Sequence, residues 1–252
     1  MIADLPLHAT SFLILFARAG AIVMLLPIFS EDGIPAQIRL FAAMGITLAL
    51  WGFLSPSVAP MANLQDLALA GVLVPEIVVG LALGLIMRMM YQAISIAGSL
   101  ISLQIGLTSA VIFDPGQSGH APILSRFVGV AAAVVCFAMA VHHLWIGAII
   151  KSYAIFPVGV FPNTADFADL AVRIAGNSLA LGVSLAAPLL VYGIVFNVVL
   201  GLVARVAPAL QVFFIAQPLN LLLGVTITAA TLGAALIAFA DSMASWMNAG
   251  WS

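Results

Sequence analysis

Apolar residues run along this chain in long blocks, separated by short polar turns. A hydrocarbon core of about 30 Å takes roughly 20 apolar residues as a helix. On that yardstick the pattern predicts helices near 10–27, 38–54, 67–88, 89–113, 123–150, 171–204 and 206–240. The breaks are chemical. Ser30-Glu31-Asp32-Gly33-Ile34-Pro35 reads as a polar turn, and Ser55-Pro56-Ser57 with Pro60 to Asp66 as the next loop. Phe113 to Pro122 is turn-rich, and Phe156 to Asp169 is the longest polar connection. Residues 174–204 carry no charge, nor do 206–240. As single helices these runs would be roughly 45–50 Å long, too long for a bilayer core without tilt or a kink. Pro188, Pro208 and Pro218 supply kink points. Trp51, Trp145, Trp246 and Trp251 fall near segment ends, where amphipathic rings favour a membrane–water boundary.

Composition places the chain in a membrane. It is 64% hydrophobic and 6% charged, against about 25% charged in a soluble domain. A net charge of −2 is too small to point to nucleic acid or an acidic partner. The single cysteine, Cys136, forms no internal disulfide. The N-terminus does not look like a signal peptide, with Asp4 where positive charge is expected and Arg18 inside the apolar stretch, so the apolar start is expected to be retained as structure. Seven Lys and Arg are scattered singly, often beside acids, and assign no inside or outside.

The conflict between apolar runs and the charges within them is the informative feature. Arg18, Glu76 and Arg88 interrupt otherwise membrane-like helices. An ionised side chain at mid-bilayer costs roughly 2.5–3.5 kcal/mol even on the mildest scale. Such charges need protein or water around them, so the chain reads as one subunit of a larger assembly or as the lining of a path. Arg18, Glu76 and Arg88 are each expected to be paired or hydrogen-bonded within that assembly.

Small residues mark packing seams. Glu76, Gly80, Gly84 and Arg88 follow one another at i+4 and share a ridge. Gly193, Asn197, Gly201 and Arg205 repeat the arrangement, and Leu83 to Arg88 matches Leu200 to Arg205 in several letters. Glycines on a ridge let another helix approach closely. The plainer readings are chance in an apolar sequence, or arginines snorkelling to an interface. A third seam, Gln92, Ser95, Ser99, Ser102 and Gly106, faces either a partner helix or a wet path.

No metalloprotease, P-loop or nucleophile-elbow motif is present, and His142 and His143 are adjacent, which suits no shared metal on a helix. Neither enzyme nor cofactor is expected. The loop from Val111 to Ala121 has clear turn chemistry. Pro115 disfavours helix at Asp114, Pro115-Gly116 suits a turn, and Pro122 can open the next helix. Apolar Val111, Ile112 and Phe113 lead into it.

The residues from Ala97 to Arg126 carry a family resemblance. Ala97-Gly98, Ile101-Ser102-Leu103-Gln104-Ile105-Gly106, Phe113-Asp114-Pro115 and Pro122-Ile123-Leu124-Ser125-Arg126 resemble the middle of the FliR family of type III export-apparatus membrane proteins. Ala17-Arg18, Pro27-Ile28-Phe29 and Ile34-Pro35 are similar to its N-terminal pattern. His143-Leu144-Trp145 through Phe156-Pro157-Val158-Gly159 resemble its middle loop, and Gly201 through Pro208 with Pro218-Leu219 its C-terminal pattern. The resemblance covers nearly the whole chain in order, and favours the flagellar over the injectisome branch. The departures are Ala209 for a usual Gln, Ala216-Gln217 for Gly-Phe, and Asn220 for a common Lys. They bear on any role played by flexibility or charge at 216–220.

The resemblance implies an all-α fold of polytopic, membrane-associated helical hairpins, with long kinked helices packed in a hetero-oligomeric export gate. It implies a FliP-like part at 1–170 followed by a FliQ-like hairpin at 171–252. The implied partners are FliP-like and FliQ-like subunits, an FlhB-like switch protein, unfolded flagellar substrates in transit and the bacterial inner membrane within the flagellar basal body. The assembled family complex is expected largely above the membrane plane. The resemblance also implies that Val111, Ile112, Phe113, Asp114, Pro115 and Gly116 project into the pore and help plug it; the plainer reading is a surface hairpin. It adds Gln104 and Pro208 to the packing and partner-interface set of Arg18, Glu76, Gly80, Gly84, Arg88, Gly193, Asn197, Gly201 and Arg205. Two rivals stand beside it: a secondary transporter with broken helices, and a purely structural scaffold of the basal body.

Overall fold

A computed structural model describes residues 5–27, 29, 34–64, 66–107, 123–208 and 211–249. Seven α-helices are described: α1 (Leu5–Leu25), α2 (Ala36–Val58), α3 (Asp66–Gln104), α4 (Ile123–Ala138), α5 (Val141–Ile155), α6 (Thr164–Val206) and α7 (Val212–Ala249). A short 3₁₀ turn, Ala59–Met61, follows α2. No strand occurs among the described residues. Five helices are long and apolar enough to cross a membrane, and α4 with α5 makes a sixth if counted as one broken span. The chain is an all-α polytopic membrane protein.

Several boundaries differ from the sequence pattern, five of them for a clear physical reason. The predicted segments 67–88 and 89–113 begin as one 39-residue helix. Arg88 is a charge, not a helix breaker, and it is exposed. α3 stops at Gln104 because Gly106 takes a left-handed φ of +80°. The Leu107 amide then donates to the Ser102 carbonyl and the Gly106 amide to that of Leu103, a Schellman ending. The predicted loop at Ser55-Pro56-Ser57 is helical. The burial stripe Ala43, Thr47, Leu50, Leu54, Val58 continues through it, and completely buried Val58 rewards the extension past Pro56. The predicted helix 123–150 is two helices, because Ala140 adopts φ +59° and ends α4. Finally, α6 starts at Thr164 inside the predicted polar connection. The Asn163 side-chain oxygen accepts the Ala165 amide at 3.1 Å and Asp166 lies in the first turn, a favourable N-terminus.

At 1.5 Å per residue, α3, α6 and α7 have contour lengths of about 57–65 Å, roughly twice the hydrocarbon thickness. Pro75, Pro188 and Pro218 lie inside them. Each removes one backbone donor without ending its helix.

The chain forms two compact units. The first holds residues 1–91 and 142–175, the second 92–141 and 176–252. In the first, α1 packs along α2, around a core that includes Ile14, Leu15, Ile22, Val79, Leu83, Met87 and Ile149. Phe12 and His8 meet Trp51 there, with ring centroids 5.8 and 6.1 Å apart. In the second, α4 packs on α7, with Ile94, Ala97, Val128, Ala132, Ala186, Leu189 and Phe239 buried.

Replacing Asn163 by Ala leaves an orphan amide at the start of α6 and should cost about 1 kcal/mol, while Asn163→Asp should hold. Amide hydrogen exchange at residues 165–167 checks this: Asn163→Ala should exchange faster and Asn163→Asp at the wild-type rate.

Candidate functional site: two polar junctions that pin the helices

The first compact unit is organised by one buried charge pair. Arg18 and Glu76 are both 0% exposed. The Arg18 Nε donates to Glu76 Oε2 and Nη2 to Oε1, each at 2.8 Å, a planar two-point contact. Nη1 donates to the carbonyls of Ser152 and Phe156, both at 3.0 Å. These carbonyls belong to the last turn of α5 and the residue after it, where the negative end of the helix favours a cation; the Ser152 carbonyl also accepts the Phe156 amide at 2.9 Å. The guanidinium carbon lies 4.2 Å from the centre of the Tyr153 ring, and the Tyr153 hydroxyl donates to the Leu15 carbonyl at 3.3 Å. Glu76 Oε1 also accepts the Gly159 amide at 3.0 Å. Gly159 has φ +76°, so glycine is required to turn that amide toward the carboxylate. One ion pair thereby ties α1, α3, α5 and the connection after α5.

The neighbouring glycines follow from this pin. A Cβ on Gly80 would come within 2.6 Å of the Arg18 carbonyl oxygen, and one on Gly84 within 2.7 Å of Leu25 Cβ. α3 therefore touches α1 backbone to backbone along the Glu76–Gly80–Gly84 ridge. Arg88, one step further, is exposed.

The second junction lies in the other compact unit, around the last turn of α3. Side-chain atoms of Gln104 fill the space a Cβ on Gly193 would need, and Ile105 does the same at Gly224. Gly98 lies equally close to Ser125 of α4. The Ser125 hydroxyl donates to the Ser95 carbonyl at 2.9 Å, and Ser99 donates to Ser125 Oγ at 3.3 Å. The serine seam of α3 thus meets a helix over that part of its length. Asn220 connects α7 to both other helices. Its Nδ2 donates to the Gln104 carbonyl at 3.1 Å, and its Oδ1 accepts from the Tyr192 hydroxyl at 2.8 Å. Asn220 carried no weight in the sequence beyond its departure from a usual lysine. That departure was the available signal.

The remaining candidates are distributed differently. Asn197 is exposed and turns its Nδ2 onto the Gly193 carbonyl of its own helix at 2.8 Å. Gly201 has nothing within 4 Å of its Cβ position, and Arg205 and Pro208 are exposed. Val111, Ile112, Phe113, Asp114, Pro115 and Gly116 lie outside the described residues. No group of three or more His, Cys, Asp and Glu side chains that could hold a metal occurs among the described residues. A cleft of about 330 Å³ between the start of α1 and the end of α2 is lined by His8, Ser11, Trp51 and Asn63 among others, with no Asp, Glu, Lys or Arg among the described residues.

These features define a helical membrane protein whose buried polar groups hold helices to one another. The family model for bacterial export proteins, family 1, matches residues 9–246. The flagellar biosynthetic protein FliR of Caulobacter vibrioides is 36% identical over 228 residues, covering 90% of each chain. That of Escherichia coli K12 is 35% identical over 215 residues, covering 84% of this chain and 80% of the relative. That of Bacillus subtilis is 30% identical over 216 residues, covering 84% and 82%. The chain belongs to this family of bacterial export proteins, as its resemblance to FliR implied.

Glu76→Ala strands the Arg18 charge and should cost about 3–5 kcal/mol. In a cycle with Arg18→Ala the pair should show a coupling of about 2–3 kcal/mol, read from unfolding of the detergent-purified protein. Additive losses would contradict the pin. The two glycine ridges should differ in the same assay. Gly84→Ala should destabilise by about 1–3 kcal/mol through overpacking. Gly201→Ala should be neutral, or gain up to about 1 kcal/mol from helix propensity.

Proposed function

We propose that this protein is a subunit of the flagellar type III protein export gate in the bacterial inner membrane. In this reading it assembles with FliP-like and FliQ-like subunits and meets an FlhB-like switch protein at the basal body. Unfolded flagellar proteins cross the assembly. Its residues 1–170 correspond to a FliP-like part and 171–252 to a FliQ-like hairpin. The relatives named as flagellar biosynthetic proteins support the flagellar assignment.

The observation that carries the reading is the uneven burial of the long helices. The most apolar windows of α1 and α3 are 44% buried within the chain, those of α6 and α7 only 17%. Val191, Ile194, Val195, Val198 and Leu202 of α6 are exposed. Lipid alone is a poor cover for them. α6 is about twice as long as the hydrocarbon core is thick, and Arg173, Arg205 and Asp241 are exposed on the same two helices. Helices that are apolar, charged and overlong are satisfied by other protein subunits, whose own polar groups answer the charges. Gly201, with nothing among the described residues within 4 Å of its Cβ position, and the exposed Arg205 then belong to a partner interface, as do Asn197 and Pro208.

The second part of the proposal concerns Val111 to Gly116. Val111, Ile112 and Phe113 form a hydrophobic constriction in the channel, and Asp114-Pro115-Gly116 fixes the direction of the loop. Irregular backbone at membrane depth is tolerated where protein buries it or a cavity is lined by it.

Deleting residues 112–119 should leave co-purification of the partner subunits unchanged but make the resting complex leak ions. Conductance of cells expressing the assembled complex decides it; a deletion complex as tight as wild type removes the plug role. Gly201→Leu should abolish recovery of partner subunits with the tagged protein, and normal recovery would remove Gly201 from the interface.

A further inference from the structure

The end of α3 raises a hydrogen-bonding account that the helix cannot close by itself. A helix leaves its last carbonyls without intrahelical donors. Here Ile101 receives the Ile105 amide, Ser102 the Leu107 amide and Leu103 the Gly106 amide. The Gln104 carbonyl comes next, and its donor is a side chain of another helix, Asn220 Nδ2 at 3.1 Å. Asn220 is 7% exposed. The Gln104 carbonyl only accepts, so Nδ2 faces it and Oδ1 turns to the Tyr192 hydroxyl at 2.8 Å; that hydroxyl also lies 3.3 Å from the Asn220 carbonyl oxygen. Side chains of α7 come close to this half-buried turn. A Cβ at Gly106 would come within 2.9 Å of Gln217 Nε2 and 3.6 Å of Asn220 Nδ2. Ile105 and Gln104 occupy the hollows at Gly224 and Gly193.

We propose that Asn220, supported by Tyr192, is a positioning residue that clamps the final turn of α3, through Leu107. Its effect on gating rests on the reading of residues 111–116 as a plug; its effect on α3 does not. A lysine at that place answers the negative end of α3 by charge, and asparagine answers it by one directed hydrogen bond. The chemistry at the helix end is the same, and the two residues are predicted to substitute for one another.

The test uses the complex of this chain with its partner subunits, in two measurements. Amide exchange at residues 105–107 is followed in the purified complex, and resting ion conductance in cells expressing it. Asn220→Ala should speed exchange about tenfold, in keeping with the loss of one buried hydrogen bond, and should raise conductance with partner recovery unchanged. Tyr192→Phe should show a smaller change of the same kind, because Asn220 loses its second hydrogen-bond partner. Asn220→Lys should restore slow exchange and low conductance, and Thr226→Ala, an exposed change on α7, should match wild type. Unaltered exchange in Asn220→Ala, or fast exchange in Asn220→Lys, overturns the clamp. If the 112–119 deletion stays tight, the plug reading fails by itself, and the clamp is judged on exchange alone.

Discussion

The first compact unit depends on a charge pair that has no access to water. Arg18 and Glu76 lie inside apolar helices and are completely buried, so each must be neutralised by the other. That requirement is geometric as well as energetic. The guanidinium and carboxylate meet in one plane through two bonds of 2.8 Å, which a slip of one helical residue would break. Replacing such a pair by well-packed apolar residues is often neutral for stability, whereas leaving one member alone is expensive. Its consequence is thus selective: alternative registers of α1 against α3 strand a charge, and the observed register does not. The close approach at Gly80 and Gly84 is the steric half of the same constraint. The remaining donors of Arg18 and the third bond of Glu76 carry the register on to α5 and the residues after it.

α3 meets its neighbours by different chemistry at its other end. In the second unit no charge takes part. Gly98, Gly193 and Gly224 admit Ser125, Gln104 and Ile105, and amide and hydroxyl groups close the remaining valences. Small residues bring backbones close enough for van der Waals contact where no hydrophobic force separates helix from lipid. A neutral junction costs less to desolvate and less to open than an ion pair. The region before residue 108 is therefore held by groups whose individual loss is small, while the region around residue 76 is held by groups whose loss is large.

Much of this was legible. The i+4 spacing of Glu76, Gly80 and Gly84 marks a ridge on any helix, and a lone arginine and a lone glutamate in apolar runs need partners, so these residues could be singled out before their contacts were known. Gln104 and Gly193 were singled out separately, one by resemblance and one by spacing, and only the folded chain puts them together. The mirror ridge repeats glycine and arginine at Gly201 and Arg205, but Gly201 is open among the described residues and Arg205 is exposed. Spacing identifies a face but not what covers it. The Phe156-Pro157-Val158-Gly159 stretch stood out only as part of a resemblance; its physical reason, an amide turned onto Glu76 by a left-handed glycine, needed the tertiary structure. Two helix ends escaped for opposite reasons. Gly106 is a standard stop signal hidden inside an apolar run, and Ala140 takes a left-handed conformation that its residue type disfavours.

The distribution of burial ties the stability of this chain to association. A helix of 43 residues whose most apolar stretch is 17% buried has most of its contact surface uncommitted. If lipid covered it, the charges at Arg173 and Arg205 would have to reach the interfaces, one near each end of a span about twice the bilayer core. If protein covers it, no such placement is needed. The first unit, with its charge pair satisfied internally, is built to hold its arrangement in either setting. The exposed faces of α6 and α7 are not committed in this way, and their uncovered surface adds stability only when something binds it. By linkage, any partner that binds the folded form stabilises it. The partition between an internally satisfied charge pair and two helices with exposed apolar faces is what a subunit needs in order to fold first and be completed by its neighbours.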